Sequence, residues 1–133
     1  MLEPGHSAQA EFVVQRSDTA KALAISVEDD FPEVFATSRM IALMELAAAR
    51  AMRPSLDTGQ LSVGVTINVR HSAATPIGCR VRAEATFSGM EGKLYRFKIA
   101  AFDEAGSIGE GEHLRAVVDT ERLLQGAEKR RPR

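Results

Sequence analysis

The sequence contains one cysteine, Cys79, so no intrachain disulfide can form and the framework is not that of a disulfide-rich secreted protein. Cys79 lies beside a glycine at an expected strand start and reads as a packing residue rather than a nucleophile. Neither sign of charge dominates: 17 basic and 18 acidic residues leave a formal net charge of −1, whereas nucleic-acid binders usually carry a basic excess. The one basic cluster is the C-terminal EKRRPR, expected to be a solvated tail over residues 125–133. No apolar run approaches the roughly 18 residues of a membrane span. The opening MLEPGHSAQAEF lacks a charged segment followed by an apolar one, as a secretory signal has, and a cytoplasmic location is expected.

The common catalytic templates are missing as well. There is no HxxxH, CxxC or HExxH pattern, so no metal site is expected. No glycine-rich phosphate loop follows a strand, and there is no GxSxG elbow. The 133 residues suit one domain, 1–133, and a hydrophobic content of 44% supports an ordinary core.

Residues 9–15, QAEFVVQ, read as a short strand, followed by an irregular stretch in which Pro32 turns the preceding residue away from helical geometry. One helix is expected from about Phe35 to Arg53. It is rich in Ala, Leu, Met and Glu, with Met40, Ile41, Met44, Ala47, Ala48, Ala51 and Met52 at three- and four-residue spacing. Pro54 ends it. LSVGVTINVRH then alternates, with Leu61, Val63, Val65, Ile67 and Val69 expected on the buried face. CRVRAEATF buries Val81, Ala83, Ala85 and Phe87 in the same way, and KLYRFKIAAFD does so with Tyr95, Phe97, Ile99 and Ala101. SIGEGEHLRAVVD closes the series. Short turns between strands imply antiparallel pairing. A sheet with one apolar face must cover it, and the single apolar helix is the available cover. The fold class expected is therefore α+β, with one long helix wrapped by a curved antiparallel sheet. Another small α+β roll is the alternative.

Three residues break the pattern. Glu45 falls beside Ile41, Ala48 and Met52 on the helix. A carboxylate carried toward an apolar face can serve as base or nucleophile, or it can snorkel to water from the stripe's edge. His71 continues the odd parity of its strand and stands where the strand gives way to a loop, as a pocket residue or as a satisfied cap of the sheet. Thr37 lies in the first helical turn, capping it or orienting a ligand at the positive end of the dipole. Thr37 and Glu45 stand about 80° apart around the axis and about 12 Å apart along it, so both can look into one cleft only if a substrate or water spans them. His6, in an irregular start, and His113, in a glycine-interrupted strand, receive no catalytic role.

The runs FPEVFATSRMIALMELAAARAM, VGVTINVRHSAATPIG and GEHLRAVV closely resemble the fluoroacetyl-CoA thioesterase family of hot-dog-fold proteins, over about Phe12 to Leu123. The resemblance implies a catalytic set of Thr37, Glu45 and His71, without a gap between them. It also implies an active-site glycine at Gly64, a gating phenylalanine at Phe31 and a substrate-side arginine at Arg115. It further implies a homodimer, with active sites at the subunit interface and coenzyme A in a groove between subunits, and hydrolysis without metal or organic cofactor. This chain departs from the family in the lid, where Glu28 stands in place of a phenylalanine within the acidic AISVEDD segment. A short acyl-CoA, or a broader range, is accordingly expected over strict fluoroacetyl selectivity. A hot-dog enoyl-CoA hydratase and a non-catalytic acyl-CoA-binding module are the alternatives.

Overall fold

The computed structural model describes residues 2–132. Strand β1 (Ser7–Val13) leads through two short 3-10 turns to helix α1 (Thr37–Met52). Four strands follow, β2 (Gln60–His71), β3 (Arg80–Glu91), β4 (Leu94–Asp103) and β5 (Gly106–Asp119), and then helix α2 (Thr120–Lys129). All five strands form one antiparallel sheet in the order β1-β3-β4-β5-β2. The sheet curls around α1, which is the hot-dog arrangement.

Close approach of helix to sheet follows from small residues on both sides. Ala47, Ala48 and Ala51 on α1 are fully buried, as are Ala83, Ala85 and Ala101 on β3 and β4. Larger side chains fill the space at either end: Met40, Leu43, Met44 and Met52 from the helix, Val81, Phe87, Phe97 and Ile99 from the sheet. Each such burial contributes roughly 1.5–3 kcal/mol. The glycines of β5 serve the same closeness. A Cβ at Gly109 would stand 2.7 Å from Met40 Sδ, and one at Gly111 would collide with the Asn68 backbone of β2.

Two expectations need correction. Leu61 and Val65 do not face the core: they are 54% and 49% exposed. The cause is a β-bulge between Gly64 and Thr66, at Val65, which inverts side-chain parity along β2. Upstream of the bulge the even positions Ser62 and Gly64 face inward, as their contacts with Arg115 and Glu45 show. Residues 125–129, expected within the basic tail, instead form the second half of α2, which is capped by the Asp119 side chain accepting from the Arg122 N–H.

The segment before α1 is clamped. Arg39 donates from Nε and Nη2 to Asp18 Oδ1 at 3.1 and 2.8 Å. The Ala36 N–H donates to the Asp18 carbonyl, and the Phe35 N–H to that of Thr75. These contacts fix where α1 begins, and hence where Thr37 stands.

Candidate active site

The residues singled out from the sequence gather into two clusters. The first lies at the N-terminus of α1. Thr37 is its first residue and makes no capping hydrogen bond. Its hydroxyl instead lies 2.8 Å from His71 Nδ1, at the end of β2. Phe35, fully buried, packs edge-on to the imidazole with ring centroids 6.4 Å apart. Among the described residues His71 Nε2 is buried without a hydrogen-bond partner. Burial pushes the His71 pKa below its ordinary value, partly opposed by the Ala73 backbone, which favours the neutral ring. A hydroxyl and a neutral imidazole at this distance can pass a proton in either direction. A cavity of about 320 Å³ opens over the pair, lined also by Pro32, Val34 and Ala74. Phe31, immediately before Pro32, is exposed and does not line this cavity.

The second cluster lies two turns further along α1. Glu45 is half-buried, with its carboxylate pressed against Gly64 of β2. A Cβ at Gly64 would overlap Glu45 Oε1 and stand 3.1 Å from His113 Cε1. The sheet floor here is His113 and Arg115 of β5, 1% and 5% exposed. His113 Nδ1 is 2.8 Å from the Thr66 carbonyl, which can only accept, so Nδ1 carries the proton. His113 Nε2 then accepts from Arg115 Nη1 at 3.1 Å. Arg115 also donates from Nε to Ser62 Oγ at 3.0 Å and from Nη2 to the Ser62 carbonyl at 2.9 Å. Burial lowers the pKa of both residues; for His113 the Thr66 contact opposes this, Arg115 adds to it and Glu45 opposes it, while for Arg115 Glu45 opposes it. Among the described residues Glu45 forms no ion pair within 4.0 Å. The result is an unpaired carboxylate beside a buried guanidinium, with the Val65 bulge aiming Gly64 at it.

Sequence reasoning overlooked His113 and Ser62. The glycines of GEGEHLR were read as interruption, whereas they mark close packing on the face that His113 shares with Arg115. Spaced by two on one strand, these two residues necessarily point the same way. Among the described residues there is no cluster of three or more His, Cys, Asp or Glu side chains able to hold a metal.

Residues 14–121 match the family model described as fluoroacetyl-CoA-specific thioesterase. The chain belongs to this family. It is 41% identical over 115 residues to the fluoroacetyl-CoA thioesterase of Streptantibioticus cattleyicolor, covering 85% of this chain and 83% of the relative. The solved structure of the fluoroacetyl-CoA thioesterase FlK superposes with a TM-score of 0.93 at 38% identity, over 99% of both chains. A phenylalanine-to-alanine mutant of FlK in complex with fluoroacetate and CoA matches at 0.86 and 40% identity, over 92% of this chain and 99% of that one. Outside the fluoroacetyl-CoA enzymes, a thioesterase superfamily member from Thermus thermophilus matches at 0.85 and 28% identity, over 96% and 94%.

Proposed function

We propose that this acyl-CoA thioesterase hydrolyses esters of small acyl groups, with Glu45 as the group that attacks the acyl carbon or activates the water that does. The observation that carries this is the Glu45 carboxylate, pressed against Gly64, without an ion pair among the described residues, and close enough to act on Arg115 electrostatically. Thioester hydrolysis itself follows from family membership and the 41% identity to a thioesterase, which sets aside the hydratase and binding-module readings.

Thr37 and His71 hold the acyl group and move a proton to the departing thiolate, and backbone donors near Gly64 support the thioester oxygen. Phe31, exposed and outside the cavity over Thr37 and His71 in the single chain, acts as a gate on the acyl side, and Arg115 stabilises charge on the substrate. No metal or organic cofactor takes part, coenzyme A entering only as part of the substrate. A CoA ester as substrate supports a cytoplasmic place of work.

Within one chain, about 12 Å of helix separates Thr37 from Glu45, more than one reacting carbon can bridge. A homodimer removes the difficulty. Strand β2 is an edge strand of 12 residues carrying exposed Leu61 and Val65, and such an edge calls for a partner. Antiparallel pairing of two β2 edges brings the part of one strand that carries Gly64 toward the His71 end of the other. Each site then joins Glu45 from one chain with Thr37 and His71 from its partner.

The segment before the gate supports a broad small-acyl range. Glu28, Asp29 and Asp30 are exposed on the segment that leads to Phe31, and an acidic, hydrated segment in the lid position desolvates an acyl group less than an apolar one does. Thiol release from acetyl-, fluoroacetyl-, propionyl-, butyryl- and phenylacetyl-CoA tests this. Turnover of several short esters is expected, with fluoroacetyl favoured over acetyl by no more than the roughly 10–200-fold that one small substituent supplies. Release confined to fluoroacetyl-CoA contradicts the breadth, and release from none contradicts the assignment.

A further inference from the structure

Among the described residues Arg115 is a buried cation that forms no ion pair. A buried guanidinium ordinarily takes a carboxylate in a bidentate pair. Here Glu45 is close enough to act on Arg115 electrostatically, yet it lies beyond ion-pair distance. Three neutral acceptors take the guanidinium instead: Ser62 Oγ, the Ser62 carbonyl and His113 Nε2. The last is available only because the Thr66 carbonyl, just past the bulge, holds the His113 proton on Nδ1. Were Nε2 protonated, two donors would face each other and Nη1 would be driven off. The imidazole edge also packs against Gly64, at the spot where the Glu45 carboxylate rests.

We propose that His113 is a positioning residue: by accepting from Arg115 Nη1 it holds the guanidinium off Glu45 and leaves that carboxylate free for the reaction. The proposal rests on the reading of Glu45 as the catalytic carboxylate. Without the acceptor at His113, Nη1 turns to Glu45, and the ion pair removes the nucleophile or base.

Two variants separate this role from a structural one. In His113→Gln the amide oxygen reaches the Nε2 position, preserving the acceptor for Arg115 while giving up the donor to Thr66. In His113→Asn the amide nitrogen reaches the Nδ1 position, preserving the donor to Thr66 while leaving Nη1 without an acceptor. A charge-assisted hydrogen bond in a catalytic assembly moves a rate by about ten- to a hundredfold. His113→Gln is therefore expected to keep kcat within about threefold of the parent, and His113→Asn to lose at least about tenfold, more in kcat than in KM. A scaffold role for the bulge gives the reverse order, and Asn equal to or better than Gln overturns the proposal. Should His113→Gln fail to fold at the assay temperature, His113→Asn decides alone: with a circular dichroism spectrum like the parent's, kcat down at least about tenfold is expected, and kcat within about threefold of the parent overturns the proposal. Glu45→Gln, run alongside, identifies failure of the underlying reading, because activity retained there removes Glu45 from the reaction whatever the His113 variants do.

Discussion

Gly64→Ala is the sharpest perturbation the site allows, because it adds one methyl group at a known place. The added Cβ overlaps Glu45 Oε1 and lies 3.1 Å from His113 Cε1. Ordinary contact begins at 3.4 Å, so the carboxylate oxygen has to retreat by about 1 Å, and a displacement of that size at a reacting group costs about 10²-fold. This is equivalent to about 2.7 kcal/mol of transition-state stabilisation. The fold has little reason to object. Gly64 is not among the glycines with positive φ, and alanine in a strand restricts the unfolded chain, which stabilises by about 0.4–1 kcal/mol where the geometry permits. The overlapping atom is the tip of the flexible Glu45 side chain, which swings aside at small cost, while the His113 ring, held at both nitrogens, has to give by only a few tenths of an ångström. Thiol-release kinetics should therefore show kcat down about 10²-fold, while the thermal midpoint stays within a few degrees of the parent. A variant with parental kcat refutes the placement of Glu45 as the reacting group. One that unfolds refutes the steric reasoning.

Other outcomes follow from the same geometry. Thr37→Ala removes the hydrogen bond between the Thr37 hydroxyl and His71 and is expected to slow turnover by about tenfold, whereas Thr37→Ser keeps the hydroxyl and most of the rate; equal rates would remove the hydroxyl from the mechanism. Burial holds the folded pKa of both His71 and His113 below the ordinary 6.5. The unfolded chain thus takes up protons first as pH falls, so stability present above pH 6.5 is lost as pH drops through the depressed folded values. The thermal midpoint should decline from about pH 7.5 to 5, and a flat profile contradicts the burial. Mixing Glu45→Gln with His71→Ala chains should restore activity that neither has alone, because one of the two sites in a mixed dimer is then intact; no restoration contradicts sites shared between chains.

How much of this was legible in the sequence varies by element. The helix announced itself through Met and Ala at helical spacing, and β3 and β4 through strict alternation. Val81, Ala83, Ala85 and Phe87 lie on the buried face as their parity required. β2 misled because a bulge is a backbone event: nothing in VGVT distinguishes a continuous strand from one that adds a residue at Val65. The same bulge explains why Gly64, at an even position read as solvent-facing, stands against Glu45. Thr37 and His71 were each ambiguous alone, since a cap and a sheet-end histidine look the same in sequence; their 2.8 Å contact is what makes them a pair. His113 was dismissed for its glycine neighbours, whose purpose is visible only once α1 and β2 lie against β5. α2 was lost to the basic end of the chain, because an exposed amphipathic helix of 10 residues buries too little to leave a core signature.

The most direct measurement is CoA-thiol release by the wild-type chain and by Glu45→Gln on the same short acyl-CoA esters, with circular dichroism of both. The substitution is nearly isosteric and removes only the charge. Loss of about 10²–10⁴-fold in turnover with an unchanged spectrum is the expected result. Parental turnover in Glu45→Gln would show that the carboxylate beside Gly64 is structural and that thioester cleavage proceeds through other groups.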